Sequence, residues 1–87
     1  MPELRLPPTL TPLFADLPRR VEVDAATVAQ ALEELERRWP GLRDRLCEPG
    51  PALRPHIHVY VDRERAALDT PLGRDSLVHV VAAITGG

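Results

Sequence analysis

The chain closes on Ala82-Ala83-Ile84-Thr85-Gly86-Gly87, and the group there with chemistry to offer is the carboxylate of Gly87. A carboxylate that must enter another protein's active site needs a narrow, extended leader. Residues without side chains pass through a constriction and reach backbone angles closed to others, so sterics select Gly86 and Gly87, with Thr85 completing the tail. The apolar run just before it makes a rigid base, which limits the ordering cost on docking to a few residues at roughly 1–2 kcal/mol each. Nothing in the chain would activate that carboxylate: there is no Gly-rich phosphate loop, nucleophile elbow or paired acid–base motif. Any activation of that carboxylate would have to come from another protein.

Three other sets of residues have types that do chemistry elsewhere. His56 and His58 stand two apart on a strand and project from one face, and His79 on a later strand can lie beside them. A zinc or copper site would need a third and a fourth ligand beside the first pair, and Cys47 sits in a loop that spacing does not place near them. The better reading is a partly apolar docking patch of His56, His58, Tyr60, His79 and Val81. Cys47 is alone, with no CxxC partner, and behaves as a small hydrophobe. Glu33, Glu34 and Glu36 spread around a helix and are not a catalytic cluster. No residue is assigned a catalytic role and none a metal.

Composition narrows the class. The 13 acidic and 11 basic residues give a net charge of −2 without a basic block, which argues against nucleic acid as a partner. All the basic residues are arginine, so the protein cannot build lysine-linked chains of itself. The single cysteine fits a reducing compartment, and no signal peptide or bilayer-length apolar run is present, so a cytoplasmic protein without a membrane partner is expected. At 87 residues, one domain over 1–87 with a largely aliphatic core is the natural expectation.

The elements that position these residues follow from periodicity. Leu4 and Leu6 alternate with polar neighbours before Pro7-Pro8, and Arg19 to Val23 alternates again, predicting two strands that pair as a hairpin. Asp24 suits an N-cap, and Val28, Leu32, Leu35 and Trp39 form one stripe of a helix running from Ala25 to Pro40-Gly41, with Glu33 and Arg37 paired at i,i+4. Leu42 to Arg54 reads as irregular, with one helical turn around Arg43 to Leu46. His56 to Val61 is a strand with Ile57, Val59 and Val61 facing the core, Asp62-Arg63-Glu64 is its turn, and 66–74 holds a brief strand or helical turn. Ser76 to Ala82 is apolar nearly throughout, as in a mid-sheet strand. If Val78 and Val80 face the core, then His79 and Val81 face a partner. The result is an α+β arrangement with a sheet on one main helix.

The strand order, the small size, the final apolar strand and the terminal diglycine resemble the β-grasp, ubiquitin-like sulfur carriers of the MoaD/ThiS family. That family includes the small subunit of molybdopterin synthase and the thiazole-biosynthesis carrier. Leu32-Glu33 and Leu35-Glu36 before Pro40-Gly41-Leu42, then Arg45-Leu46, then Ile57-His58-Val59-Tyr60-Val61-Asp62 look most like the molybdopterin-subunit type, including the cysteine-biosynthesis branch. The resemblance implies a β-grasp fold with a mixed sheet of four to five strands. It implies that the carboxylate matching Gly87 is adenylated by an E1-like enzyme using ATP and magnesium, then converted to a thiocarboxylate that serves an acceptor enzyme. The carrier binds no cofactor itself and is not an enzyme. Ile84-Thr85 and Arg63 depart from the commoner residues of the family and blur which acceptor is served. Two alternatives stay open: a protein modifier conjugated through Gly87, and a non-catalytic interaction or metal-binding module.

Overall fold

A computed structural model describes residues 1–83; Ile84, Thr85, Gly86 and Gly87 lie outside the described residues. Strand β1 (Glu3–Arg5) and β2 (Arg20–Glu22) form the expected hairpin, with Leu4 opposite Val21. The long connection between them carries a short 3-10 turn at Thr11–Leu13 and is held down by buried Leu10 and Leu17.

Helix α1 spans Val28–Arg38, beginning later than periodicity suggested. Thr27, not Asp24, is the N-cap: its hydroxyl accepts from the Gln30 amide at 3.2 Å, while the Gln30 side chain accepts from the Ala26 amide at 2.9 Å. This is a capping box displaced by one residue. The reason for the later start is long-range. The Val28 and Ala29 amides donate to the carbonyls of Thr70 and Leu68, and Leu72 N donates to the Ala26 carbonyl. Ala26 and Thr27 are thus engaged by residues 68–72 and are not free to wind into the helix. The stripe Val28, Ala31, Leu32 and Leu35 is buried, and Trp39 packs against it only partly. The expected Glu33–Arg37 pair does not form; Glu34 instead takes Arg37 at 3.0 Å and Arg38 at 3.9 Å.

The stretch expected to be irregular is ordered twice over. Helix α2 (Leu42–Leu46) follows Gly41, whose φ of 95° needs a residue without Cβ, and β3 (Cys47–Glu48) then pairs with β4 (Ala52–Leu53). The Glu36 carboxylate joins the two helices by accepting the Gly41 and Arg43 amides, both at 2.9 Å. Those two bonds, first Gly41 and then Arg43, hold its pKa below the usual carboxylate value.

Strands β5 (Ile57–Val61) and β6 (Glu64–Ala66) are joined by Asp62 and Arg63 alone, at φ 50° and 76°. That is a two-residue turn with both central residues left-handed, the geometry matched to strand twist. Glu64, expected in the turn, therefore opens the next strand opposite Val61. Strand β7 (Leu77–Ala82) lies mid-sheet, parallel to β1 and antiparallel to β5, in the order β2-β1-β7-β5-β6. This mixed five-stranded sheet covered by one main helix is the β-grasp fold. Leu4, Val59, Val78 and Val80 of the sheet meet Leu32 and Leu35 of α1, and each fully buried Leu contributes about 1.5–3 kcal/mol.

Candidate functional site: the open face and the exit of the tail

Alternation forces the polar residues of five strands onto the face away from α1. Val78 and Val80 are 0% and 4% exposed, whereas Val81 is 41% exposed, so the parity of β7 is the one that turns His79 and Val81 outward. On β5 the buried residues are Ile57 and Val59; Val61, expected in the core, is only partly buried at the strand's end.

Register brings four of the five expected interface residues together. His58 lies directly opposite Val81, and Tyr60 directly opposite His79. These cross-strand pairs are contiguous, with Cβ atoms roughly 4.5–5.5 Å apart. His56 stands apart from this square. It precedes β5, is exposed, and contributes its carbonyl, which accepts from Ala83 N at 2.7 Å. That bond is the last described rung between β5 and β7, and the tail leaves from there. The proposed roles of Gly87, Gly86 and Thr85 rest on residues outside those described.

Neighbours that periodicity alone did not provide complete the face. The register puts Arg5 beside both Arg20 and His79, and Arg65 opposite Tyr60 with its guanidinium 6.0 Å from the ring centroid. Glu3, opposite Glu22, accepts from Arg5 at 3.0 Å. The alternation of β1 and β2 was a signal for these side chains, but only the pairing register says which of them are adjacent. His58 Nδ1 is buried on this face without a hydrogen-bond partner among the described residues, a polar atom that a bound water or partner group would satisfy.

The other chemical candidates are absorbed by structure. The described residues contain no group of three or more His, Cys, Asp or Glu placed to hold a metal. Cys47 is buried in β3, and desolvation, only partly opposed by Arg43, pushes its thiol pKa up, which disfavours the thiolate. Glu34 and Glu36 are spent on ion pairs and on the α1–α2 junction. A groove of about 800 Å³ opens on the helix side of the sheet, lined by Leu32, Leu53, Ile57 and Leu68 among others. No helix among the described residues is long and apolar enough to cross a membrane.

No protein-family model and no curated protein sequence matches the chain. Solved structures do. A chain of the Amycolatopsis orientalis BexX/CysO complex superposes with a TM-score of 0.86 at 24% identity, covering all of both chains. Mycobacterium tuberculosis CysO gives 0.84 at 21% identity over 97% of this chain and 100% of that one. Both show the fold. The small archaeal modifier protein SAMP1 of Haloferax volcanii is 32% identical, with a TM-score of 0.71, over 99% of this chain and 98% of that one. With that identity over nearly both full lengths, on the fold and face described above, the chain belongs to the ubiquitin-like sulfur carriers of the MoaD/ThiS family.

Proposed function

We propose that this protein is a sulfur carrier whose working group is the Gly87 carboxylate. An E1-like adenylating enzyme binds the open face, and the tail delivers the carboxylate into its active site. There a carboxylate oxygen attacks the α-phosphorus of magnesium-bound ATP and pyrophosphate leaves. Hydrosulfide then attacks the acyl carbon and displaces AMP, leaving a thiocarboxylate. The acceptor enzyme of a biosynthetic pathway, for cysteine or for the molybdenum cofactor, takes the sulfur, and water restores the carboxylate. A reducing, cytoplasmic setting suits a chain with one unpaired cysteine.

The observation that supports this reading is the junction of face and tail. The central strand carries His79 and Val81 on the open face and runs directly on, through Ala83, toward Gly86-Gly87. Binding energy collected on a rigid sheet is thereby joined by a few residues to a group that can be threaded into another protein. The occurrence of a CysO fold relative in a BexX/CysO complex is in keeping with a carrier that works through protein partners.

A second reading has its own support: the 32% identical relative is named a modifier protein. In that reading the activated Gly87 carbonyl forms an isopeptide bond with a lysine of another protein. The two readings share the adenylation step and part after it. ATP–pyrophosphate exchange that depends on the carrier and disappears on removal of Gly87 tests the shared step. High-mass conjugates lost with Gly86-Gly87 favour the modifier, whereas sulfur delivery without conjugates favours the carrier.

A further inference from the structure

One line across the open face takes a residue from every strand of the five-stranded sheet. Arg20 of β2 faces Arg5 of β1, Arg5 faces His79 of β7, His79 faces Tyr60 of β5, and Tyr60 faces Arg65 of β6. The line holds three guanidiniums and no carboxylate. One rung away, Glu22 and Glu3 face each other beside Leu77, and Asp62 ties the turn to the Leu77 amide at 3.0 Å. On the other side, toward the tail, lie Val81 and His58. The face is therefore banded along the strands: acidic, then basic and aromatic, then Val81 with His58 at the end nearest Ala83.

The banding opposes folding stability. Like charges directly opposite on neighbouring strands are destabilising, and this hairpin has two such pairs side by side, Arg5 with Arg20 and Glu3 with Glu22. Exchanging the residues at 20 and 22 would turn both into attractive pairs. Within the chain, Arg5 is compensated by Glu3, Arg65 lies near the Tyr60 ring, and Arg20 has no ion pair among the described residues. A cost carried on a surface that contributes nothing to the core points to a use outside the chain. With acidic groups one rung from the basic line, a row of nucleic-acid phosphates fits it poorly.

We propose that the activating partner meets this face with an acidic strip laid along the Arg20–Arg5–His79–Tyr60–Arg65 line. Such a strip fixes the register of docking, because sliding by one rung sets it against Glu3 and Glu22. It leaves the Val81–His58 end of the face nearest the partner's active-site entrance, where the tail must enter. This inference rests on the carrier reading above and adds the chemistry of the partner's surface.

The test uses the full chain, the E1-like adenylating enzyme of the same organism and magnesium ATP, with affinity and Gly87 adenylation measured separately. The doubly exchanged variant Arg20→Glu/Glu22→Arg keeps the net charge and relieves both like-charge pairs. It should melt at the same or higher temperature, bind the enzyme about tenfold more weakly at low salt, and lose part of the salt dependence of Kd. Arg65→Glu, at the far end of the line, should weaken binding too, while Arg74→Glu, off the line, should leave Kd unchanged.

An unchanged Kd for the exchanged variant, with Gly87 adenylated normally, would overturn the acidic strip and leave the carrier reading standing. Tight, salt-sensitive binding by a chain that is never adenylated would retain the strip and remove the Gly87 chemistry. Absence of any binding, or a salt-sensitive dimer of this chain in sedimentation that occupies the face, would overturn the proposal.

Discussion

Strands β5 and β7 present two faces built from the same ten or so residues, and the two obey different rules. Toward α1 stand Ile57, Val59, Val78 and Val80, each no more than 4% exposed. Away from it stand His58, Tyr60, His79 and Val81, partly or largely exposed, with a His58 ring nitrogen that has no partner among the described residues, on a face that also carries the like-charge pairs of β1 and β2. The inner face is chosen by burial, where any apolar side chain of fitting volume serves. The outer face carries features that burial and pairing within the chain would not select. Residues next to each other in sequence can therefore differ in whether the fold or a partner decides their identity.

Val80 and Val81 allow the sharpest break of that comparison. Val80→Asp places an unpaired carboxylate in the core at a cost of several kcal/mol, comparable to the whole stability of a small domain, and circular dichroism should report an unfolded chain. Leu35→Ala, on the helix that covers the inner face, should cost about 2–5 kcal/mol in denaturant unfolding, yet the fraction that remains folded should bind the activating enzyme normally.

Glu36 sharpens the comparison at the junction of α1 and α2. Its carboxylate pKa is lowered by the Gly41 and Arg43 amides, so the folded state binds that proton less readily than the unfolded chain does. The stabilisation is present above the ordinary carboxylate pKa of 4.5 and is lost as pH falls below it through the lowered folded value. Glu36→Gln should accordingly reduce Tm at neutral pH, with a smaller difference from wild type as the pH drops below that value. The smallest effect on stability belongs to Val81→Asp, within about 0.5 kcal/mol. Its consequence should appear instead as weaker association with the activating enzyme in a titration.

The two faces also differed in how legible they were. Period-two alternation identified β1, β2 and β5 because each has one buried face, and on β5 it chose His58 and Tyr60 as outward residues. Strand β7 was legible only as a continuous apolar run, and burial of Val78 and Val80 is what turns His79 and Val81 outward. Ambiguity at Leu77-Val78 resolved in favour of Val78, because Leu77 sits at the strand's start beside the Asp62 turn and is left partly exposed. The late start of α1 was hidden, since it depends on carbonyls of Leu68 and Thr70 some forty residues downstream. The helical turn expected around Arg43 to Leu46 is α2, whereas the β3–β4 pair was masked by Pro49, Gly50 and Pro51, whose turn signals dominate a stretch that tertiary contacts organise. The basic line was invisible for another reason: residue types are local, while the register joining Arg20 to Arg65 is a property of the whole sheet.

The most direct test of the account is the intact mass of the protein after incubation with the adenylating enzyme, magnesium ATP and a sulfur donor, beside a version lacking Gly87. The account predicts a gain equal to replacing one oxygen by sulfur in the full chain and no gain in the shortened one. An unchanged mass in the full chain, with enzyme shown to be bound at the open face, would contradict it.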